Sequence, residues 1–136
     1  MTDFASEADI ERILKTTTTF AVVGLSRKPE RPSRRVSAYL KSKGYRIIPV
    51  NPNYQEVFGE QSYPDLTAVP DPFDTALVFR NPKFLPDIVD EAIRNQVKNL
   101  WLQEGVIHKE AAQKARDAGI RVVMDRCAYR EHSRRF

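Results

Sequence analysis

A single cysteine, Cys127, stands among 136 residues. That excludes a disulfide framework within the chain and a zinc site built on several thiolates. Histidine is nearly as scarce. His108 and His132 have no metal-ligand spacing with each other, so surface or helix-end roles are expected and no metal site is assigned. No apolar run reaches the roughly 18 residues of a membrane span. The opening stretch Met1-Thr2-Asp3-Phe4-Ala5-Ser6-Glu7 is acidic and lacks the basic and apolar regions of a signal peptide. Internal repeats and low-complexity tracts are missing, with Thr16–Thr19 the one biased run. These absences point to a cytoplasmic protein. The chain is 41% hydrophobic and 29% charged, too apolar for disorder. A domain this long buries about two thirds of its unfolded surface, and a single domain over residues 1–136 is expected.

What is present alternates. Ser6 is placed to cap a short helix over 7–15, with Ile10, Ile13 and Leu14 at helical spacing. Phe20-Ala21-Val22-Val23-Gly24 reads as a strand buried on both faces. After a polar loop, Pro32 and Ser33 introduce a helix with Val36, Tyr39 and Leu40 on one side, closed by Gly44. Residues 45–50 form a second strand, stopped by Asn51-Pro52. Residues 53–73 hold turn formers and one helical turn near Leu66. A third strand is expected over 75–79, a fourth over 99–102 and a fifth over 120–124. Between them lie a helix opened by Pro82 or Pro86 and another over 108–118. Trp101 falls in a strand and is expected in the core. Asp87, Asp90 and Glu91 read as a solvated helix face.

This alternation is the signature of an α/β parallel sheet with helices on both faces. Five strands in this succession suggest a Rossmann-like sheet of order 3-2-1-4-5. Its crevice would open where the loops after the first and fourth strands diverge. Gly24–Ser33 and Gln103–His108 should then face one ligand, with Arg80–Phe84 beside them.

The net charge is +4, and it is unevenly placed. Arg27, Lys28, Arg31, Arg34 and Arg35 against Glu30 concentrate +4 at the crevice loop. Arg126, Arg130, Arg134 and Arg135 against Glu131 give +3 near the C-terminus, so the remainder carries −3. Local basicity favours an anionic ligand at one place and argues against a surface coated by nucleic acid. The loop is not G-x-G-x-x-G, because only Gly24 is present. The dinucleotide fingerprint also requires an acidic residue after the second strand, where this chain offers Asn51-Pro52. A helix start supplemented by arginines still suits phosphate, with Arg27 and Arg35 the first candidates.

Four segments carry a resemblance. Ala21-Val22-Val23-Gly24-Leu25-Ser26, Ile48-Pro49-Val50-Asn51-Pro52, Trp101-Leu102-Gln103-Glu104-Gly105 and Met124-Asp125-Arg126-Cys127 together resemble the small stand-alone bacterial CoA-binding proteins. Those are similar to the N-terminal CoA-binding domain of the succinyl-CoA synthetase alpha subunit. The resemblance covers about residues 10–132. It implies a Rossmann-like domain that holds coenzyme A by its phosphates, adenine and pantetheine arm. Gly24, Leu25, Ser26 and Arg27 would form the phosphate turn, with Pro32 and Arg35 at the helix start. Asn51 and Pro52 would lie near the nucleotide end. Phe79, Arg80 and Pro82 would line the cofactor, as would Gln103, Glu104 and Gly105. The synthetase's phosphohistidine ligase domain has no counterpart in these residues, so succinyl-CoA synthesis by this chain alone is not expected.

No catalytic constellation accompanies this reading. Ser26 lacks the second glycine of a G-x-S-x-G elbow. Three functions therefore stand side by side: a module binding CoA or acyl-CoA, an NADP- or nucleotide-dependent Rossmann enzyme, and a basic nucleic-acid or protein interaction domain. The last is suggested by the tail Arg130–Phe136, otherwise a frayed, solvated terminus. No protein partner is indicated. Cys127, just past the fifth strand, is either an inert buried thiol or one that exchanges with CoA disulfide.

Overall fold

Five apolar runs pair side by side as parallel strands because each carries hydrophobic residues on both faces. In the computed structural model these are β1 (Thr19–Val23), β2 (Arg46–Val50), β5 (Thr75–Val78), β6 (Asn99–Leu102) and β7 (Arg121–Met124). Residues 4–136 are described; Met1, Thr2 and Asp3, which belong to the acidic opening stretch, lie outside them. Along β1, Phe20 and Val22 face one core while Ala21 and Val23 face the other. The first core is covered by α1 (Glu7–Thr16), α2 (Pro32–Ser42) and α5 (Ala128–Arg135); the second is covered by α3 (Leu85–Arg94) and α4 (Lys109–Asp117). This is the Rossmann-like α/β sheet with helices on both faces. No helix among the described residues is long and apolar enough to cross a membrane.

The strand order is β2-β1-β5-β6-β7, parallel throughout. Counting only these five long strands, it reads 2-1-3-4-5. The 3-2-1-4-5 pattern placed the strand at 75–79 outside the second; it pairs instead with β1, Phe20 opposite Thr75 and Val23 opposite Val78. The place outside β2 is taken by a smaller element. Tyr63 forms a parallel bridge to Val50, donates its N–H to Pro49 O at 3.1 Å and accepts from Asn51 N at 2.8 Å. Just before it lies an antiparallel hairpin of β3 (Glu56–Val57) and β4 (Glu60–Gln61). Its two-residue turn, Phe58-Gly59, has positive φ at both positions, 59° and 75°, the conformation a tight hairpin of this kind requires. Arg34 of α2 lies over the Phe58 ring at 3.9 Å, fixing the hairpin against the sheet's flank.

Helix ends follow local chemistry. Ser6 accepts from Asp9 N at 3.1 Å, and His108 Nδ1 accepts from Ala111 N at 3.0 Å, capping α4. Pro82 and Pro86 both contribute: the first opens a 3₁₀ turn over Pro82–Phe84, and the second sits in the first turn of α3. Trp101 is fully buried, its indole Nε1 donating to Arg126 O at 2.9 Å. Glu91 departs from the solvated face expected of it. It is half-buried and accepts from Leu66 N at 2.9 Å; burial raises its pKa above the usual carboxylate value.

The basic tail is a helix, not a frayed end. α5 buries Ala128, Glu131 and His132, positions spaced at helical intervals. Glu131 pairs with Arg134 at 2.7 Å and Arg135 at 2.5 Å, and Arg135 also reaches Glu7. Much of the tail's positive charge is therefore met within the chain. Tyr39 OH stands 2.8 Å from His132 Nδ1. Burial, followed by the nearby Lys43 cation, lowers the His132 pKa below its ordinary 6.5. The unfolded chain then binds this proton more readily, so the contribution is present above about pH 6.5 and lost as pH falls through the folded pKa. Urea midpoints at pH 7.5 and 5.5 should show stability falling toward the acid side. His132→Phe should flatten that change; an unaltered slope would remove His132 as its source.

Candidate functional site: a basic crevice at the carboxyl edge of the sheet

β1 ends at Gly24, where the backbone turns away with φ of +87°. A Cβ built there would lie 2.9 Å from Phe79 O and 3.2 Å from Phe79 C. Phe79 is held in that position because its N–H donates to Val23 O at 2.9 Å. The missing side chain thus lets two loops close onto each other at the point where the connections from β1 and β5 diverge. In a sheet of this order, that switch point is where ligands settle.

The loop from Gly24 to α2 is shaped from within. Ser33 Oγ accepts from Ser26 N at 3.0 Å, and Ser26 Oγ accepts from Lys28 N at 3.1 Å. Arg31 N donates to Lys28 O at 3.1 Å, completing a turn before the helix. Across the gap, Asn51 Nδ2 donates to Leu25 O at 3.1 Å while its Oδ1 accepts from Asn53 N at 2.9 Å. Asn51 is buried, and its carboxamide clips the end of β2 to the loop.

A crevice of about 500 Å³ lies above this arrangement, within the usual range for ligand sites of about 300–1,000 Å³. Of the positions expected from sequence, Gly24, Ser26, Pro32, Asn51, Phe79, Gln103 and Glu104 line it. Pro52 and Arg80 line a smaller hollow of about 180 Å³ between the end of β2 and α3. Leu25 is fully buried beneath the loop. Arg27 and Arg35 are exposed and not among the lining residues; Arg35 donates to Glu30 O at 2.5 Å. Pro82 begins the 3₁₀ turn, and Gly105 donates its N–H to Asp125 Oδ1 at 2.9 Å.

The cations that do line the crevice are Lys28 and Arg31. Arg31 also occupies the N-cap position of α2 without a side-chain hydrogen bond to the helix, whose first turn contains no acidic residue. The helix start therefore presents amide hydrogens and positive charge together. Asn53 and Tyr54 join the lining, from a stretch that reads as turn formers alone. The Ser26 hydroxyl, 3.4 Å from the Tyr54 hydroxyl, lowers that phenol's pKa; the Arg27 backbone and the Lys28 and Arg27 charges act the same way. Among the charged residues lining the crevice, Lys28 and Arg31 stand against Glu104 alone. Cys127 is half-buried before α5 and packs against the helix-covered core, outside the crevice lining.

The sheet and its crevice define a Rossmann-like α/β protein with a cleft at the strand switch point, lined by Lys28 and Arg31. Within that class the chain belongs to the CoA binding domain family, whose model matches residues 18–133. It is 37% identical over 128 residues to the uncharacterized protein YneT of Bacillus subtilis (strain 168), covering 94% of this chain and 95% of that one. An 80-residue stretch is 31% identical to acetate–CoA ligase [ADP-forming] II of Archaeoglobus fulgidus; it covers 57% of this chain but 12% of the ligase. Among solved structures, a hypothetical protein from Pyrococcus horikoshii OT3 superposes with a TM-score of 0.91 at 40% identity, covering 95% of this chain and 91% of that one.

Proposed function

We propose that this protein binds coenzyme A, free or acylated, at the crevice. The phosphates rest on the turn formed by Gly24, Leu25, Ser26 and Arg27 and on the α2 start at Pro32, paired with Lys28 and Arg31, while Arg35 stands one turn further on, outside the lining. Asn51 and Pro52 border the nucleotide end, with Phe79, Arg80 and Pro82 along the cofactor. The pantetheine arm runs toward Gln103, Glu104 and Gly105. The single observation that carries the reading is Lys28 and Arg31 converging with an uncapped, non-acidic helix start on one crevice. Family membership supports the choice of anion. The ligases matched over part of their length carry CoA in their names; for this chain the reading stops at binding, in one domain and a cytoplasmic setting, with no catalytic residue assigned.

NAD is the informative competitor. Its ribose hydroxyls ask for a carboxylate after the second strand, where Asn51 spends both ends of its carboxamide on the loop. Isothermal titration should show CoA binding at least about tenfold tighter than NAD, the equivalent of roughly 1.4 kcal/mol. Pantetheine alone should bind poorly, because it leaves the cations unpaired. Absence of CoA binding to folded protein, or equal affinity for NAD, overturns the proposal.

A further inference from the structure

Among the described residues, the most exposed large apolar side chains are Phe136 at 58%, Ile107 at 45% and Tyr129 at 43%. Phe136 and Tyr129 lie on or at the end of α5, two helical turns apart and therefore on one side. With His132 between them and Tyr39 of α2 beside them, they form one strip of rings. Centroids are 4.1 Å apart for Tyr129 and Tyr39, 5.4 Å for Tyr39 and His132, and 5.0 Å for His132 and Phe136. The two inner rings tie the helices together, through the Tyr39 hydroxyl and His132 Nδ1. The two outer rings stand largely in water, where an apolar surface adds little to the fold. A continuous exposed apolar strip of this kind marks a surface for a partner.

The charge beside the strip has one sign. Arg35 and Lys43 stand one turn before and one turn after Tyr39, on the same side of α2. The Lys43 ammonium lies 5.5 Å from the Tyr39 centroid, and Arg35 donates to a carbonyl, Glu30 O, not to a carboxylate. Neither cation enters an ion pair among the described residues. The arginines of α5 differ: Arg130 meets Glu104, while Arg134 and Arg135 meet Glu131. α2 contains no acidic residue, and Glu131, the one carboxylate of α5, is buried. Neither helix therefore exposes a negative charge.

We infer that the α2–α5 face docks an acidic protein segment that carries aliphatic or aromatic anchors. The anchors cover Tyr129 and Phe136, and the acids meet Arg35 and Lys43. Aromatic anchors within a charged rim are the usual anatomy of such a contact. A second copy of this chain joined by two-fold symmetry would press a positive patch against itself. Single-stranded nucleic acid would suit the charge, but base stacking needs open ring faces. Tyr39 and Tyr129 turn theirs toward each other, tilted by 36°. None of these residues lines the crevice, so the inference goes beyond CoA binding and does not depend on it.

The experiment measures fluorescence anisotropy of labelled probes on the full chain. The first probe is a short peptide of repeated Glu-Glu-Leu and Glu-Glu-Phe triplets. Its controls replace the apolar positions by Ser or the acidic positions by Lys, and an oligothymidylate is the fourth probe. The acidic, anchored peptide should bind at least about tenfold tighter than either peptide control. Tyr129→Ser with Phe136→Ser should weaken it about tenfold while CoA affinity stays unchanged. Lys43→Glu should weaken it as well and make its salt dependence shallower. No binding, or equal binding of the control peptides, overturns the inference. So does peptide affinity that both sets of variants leave intact in folded protein. Tighter binding of oligothymidylate, lost in the Tyr129 and Phe136 variant, would assign the face to nucleic acid instead. A wild-type dimer in sedimentation that the same variant dissolves would assign it to a second copy.

Discussion

Replacing Gly24 by alanine should destabilise the protein by about 2–5 kcal/mol and abolish ligand binding in whatever fraction remains folded. Two costs add. A residue with a Cβ held at φ +87° meets left-handed strain of roughly 1–2 kcal/mol. The new methyl would also stand 2.9 Å from Phe79 O, and overpacking of this kind costs typically about 1–3 kcal/mol. Neither neighbour can step aside cheaply, because the near atoms are backbone and Phe79 N–H is bonded to Val23 O. Relief requires moving the loop after β5 away from the loop after β1, which reshapes the crevice. Urea denaturation measures the first effect and CoA titration the second. An alanine variant within about 0.5 kcal/mol of wild type would mean that the two loops do not need their close approach.

Removing Lys28 and Arg31 together should weaken CoA at least about a hundredfold while leaving the fold intact. Charge-assisted hydrogen bonds are worth roughly 1.5–3 kcal/mol each. The two residues share one turn, linked through Arg31 N and Lys28 O, so their separate losses should not add fully. The helix dipole left behind supplies only about 0.3–1 kcal/mol at an exposed site. Wild-type affinity should fall as salt rises, and the double variant should show a shallower dependence. Arg27→Ala with Arg35→Ala provides the contrast, since those side chains lie outside the crevice lining. A larger loss from that pair than from Lys28 and Arg31 would move the phosphates to the loop's outer rim.

The parallel sheet was legible because its strands are apolar on both faces, and 20–23, 46–50 and 99–102 announce this without help from partners. Which strand lies beside β1 was not. Pairing of β5 with β1 is a tertiary choice, and the place outside β2 goes to the segment around Tyr63. The hairpin at 56–61 was hidden by strands of two residues and by Phe58, a residue that rarely takes positive φ. α5 was hidden because its inner face includes Glu131 and His132, whose letters read as surface. At the site, glycine, proline and clustered arginines revealed the loop. They could not reveal which cations turn inward. Asn51 illustrates the same limit: sequence placed it at the crevice, which it lines, but gave no sign that its carboxamide binds Leu25 O and Asn53 N and braces the loop.

That clip has a consequence in entropy. A loop that must freeze around its ligand surrenders chain freedom worth about 1–2 kcal/mol for each backbone residue fixed. Here the freezing is done by the protein's own bonds: Asn51 to Leu25, Ser33 to Ser26 and Ser26 to Lys28. Under the proposed CoA binding, ordering is thus charged to folding rather than to recognition, and an arriving anion would meet amides and cations already in place. Under that proposal a loop with one glycine would do the work for which dinucleotide-binding proteins use three, trading backbone curvature for side-chain bracing.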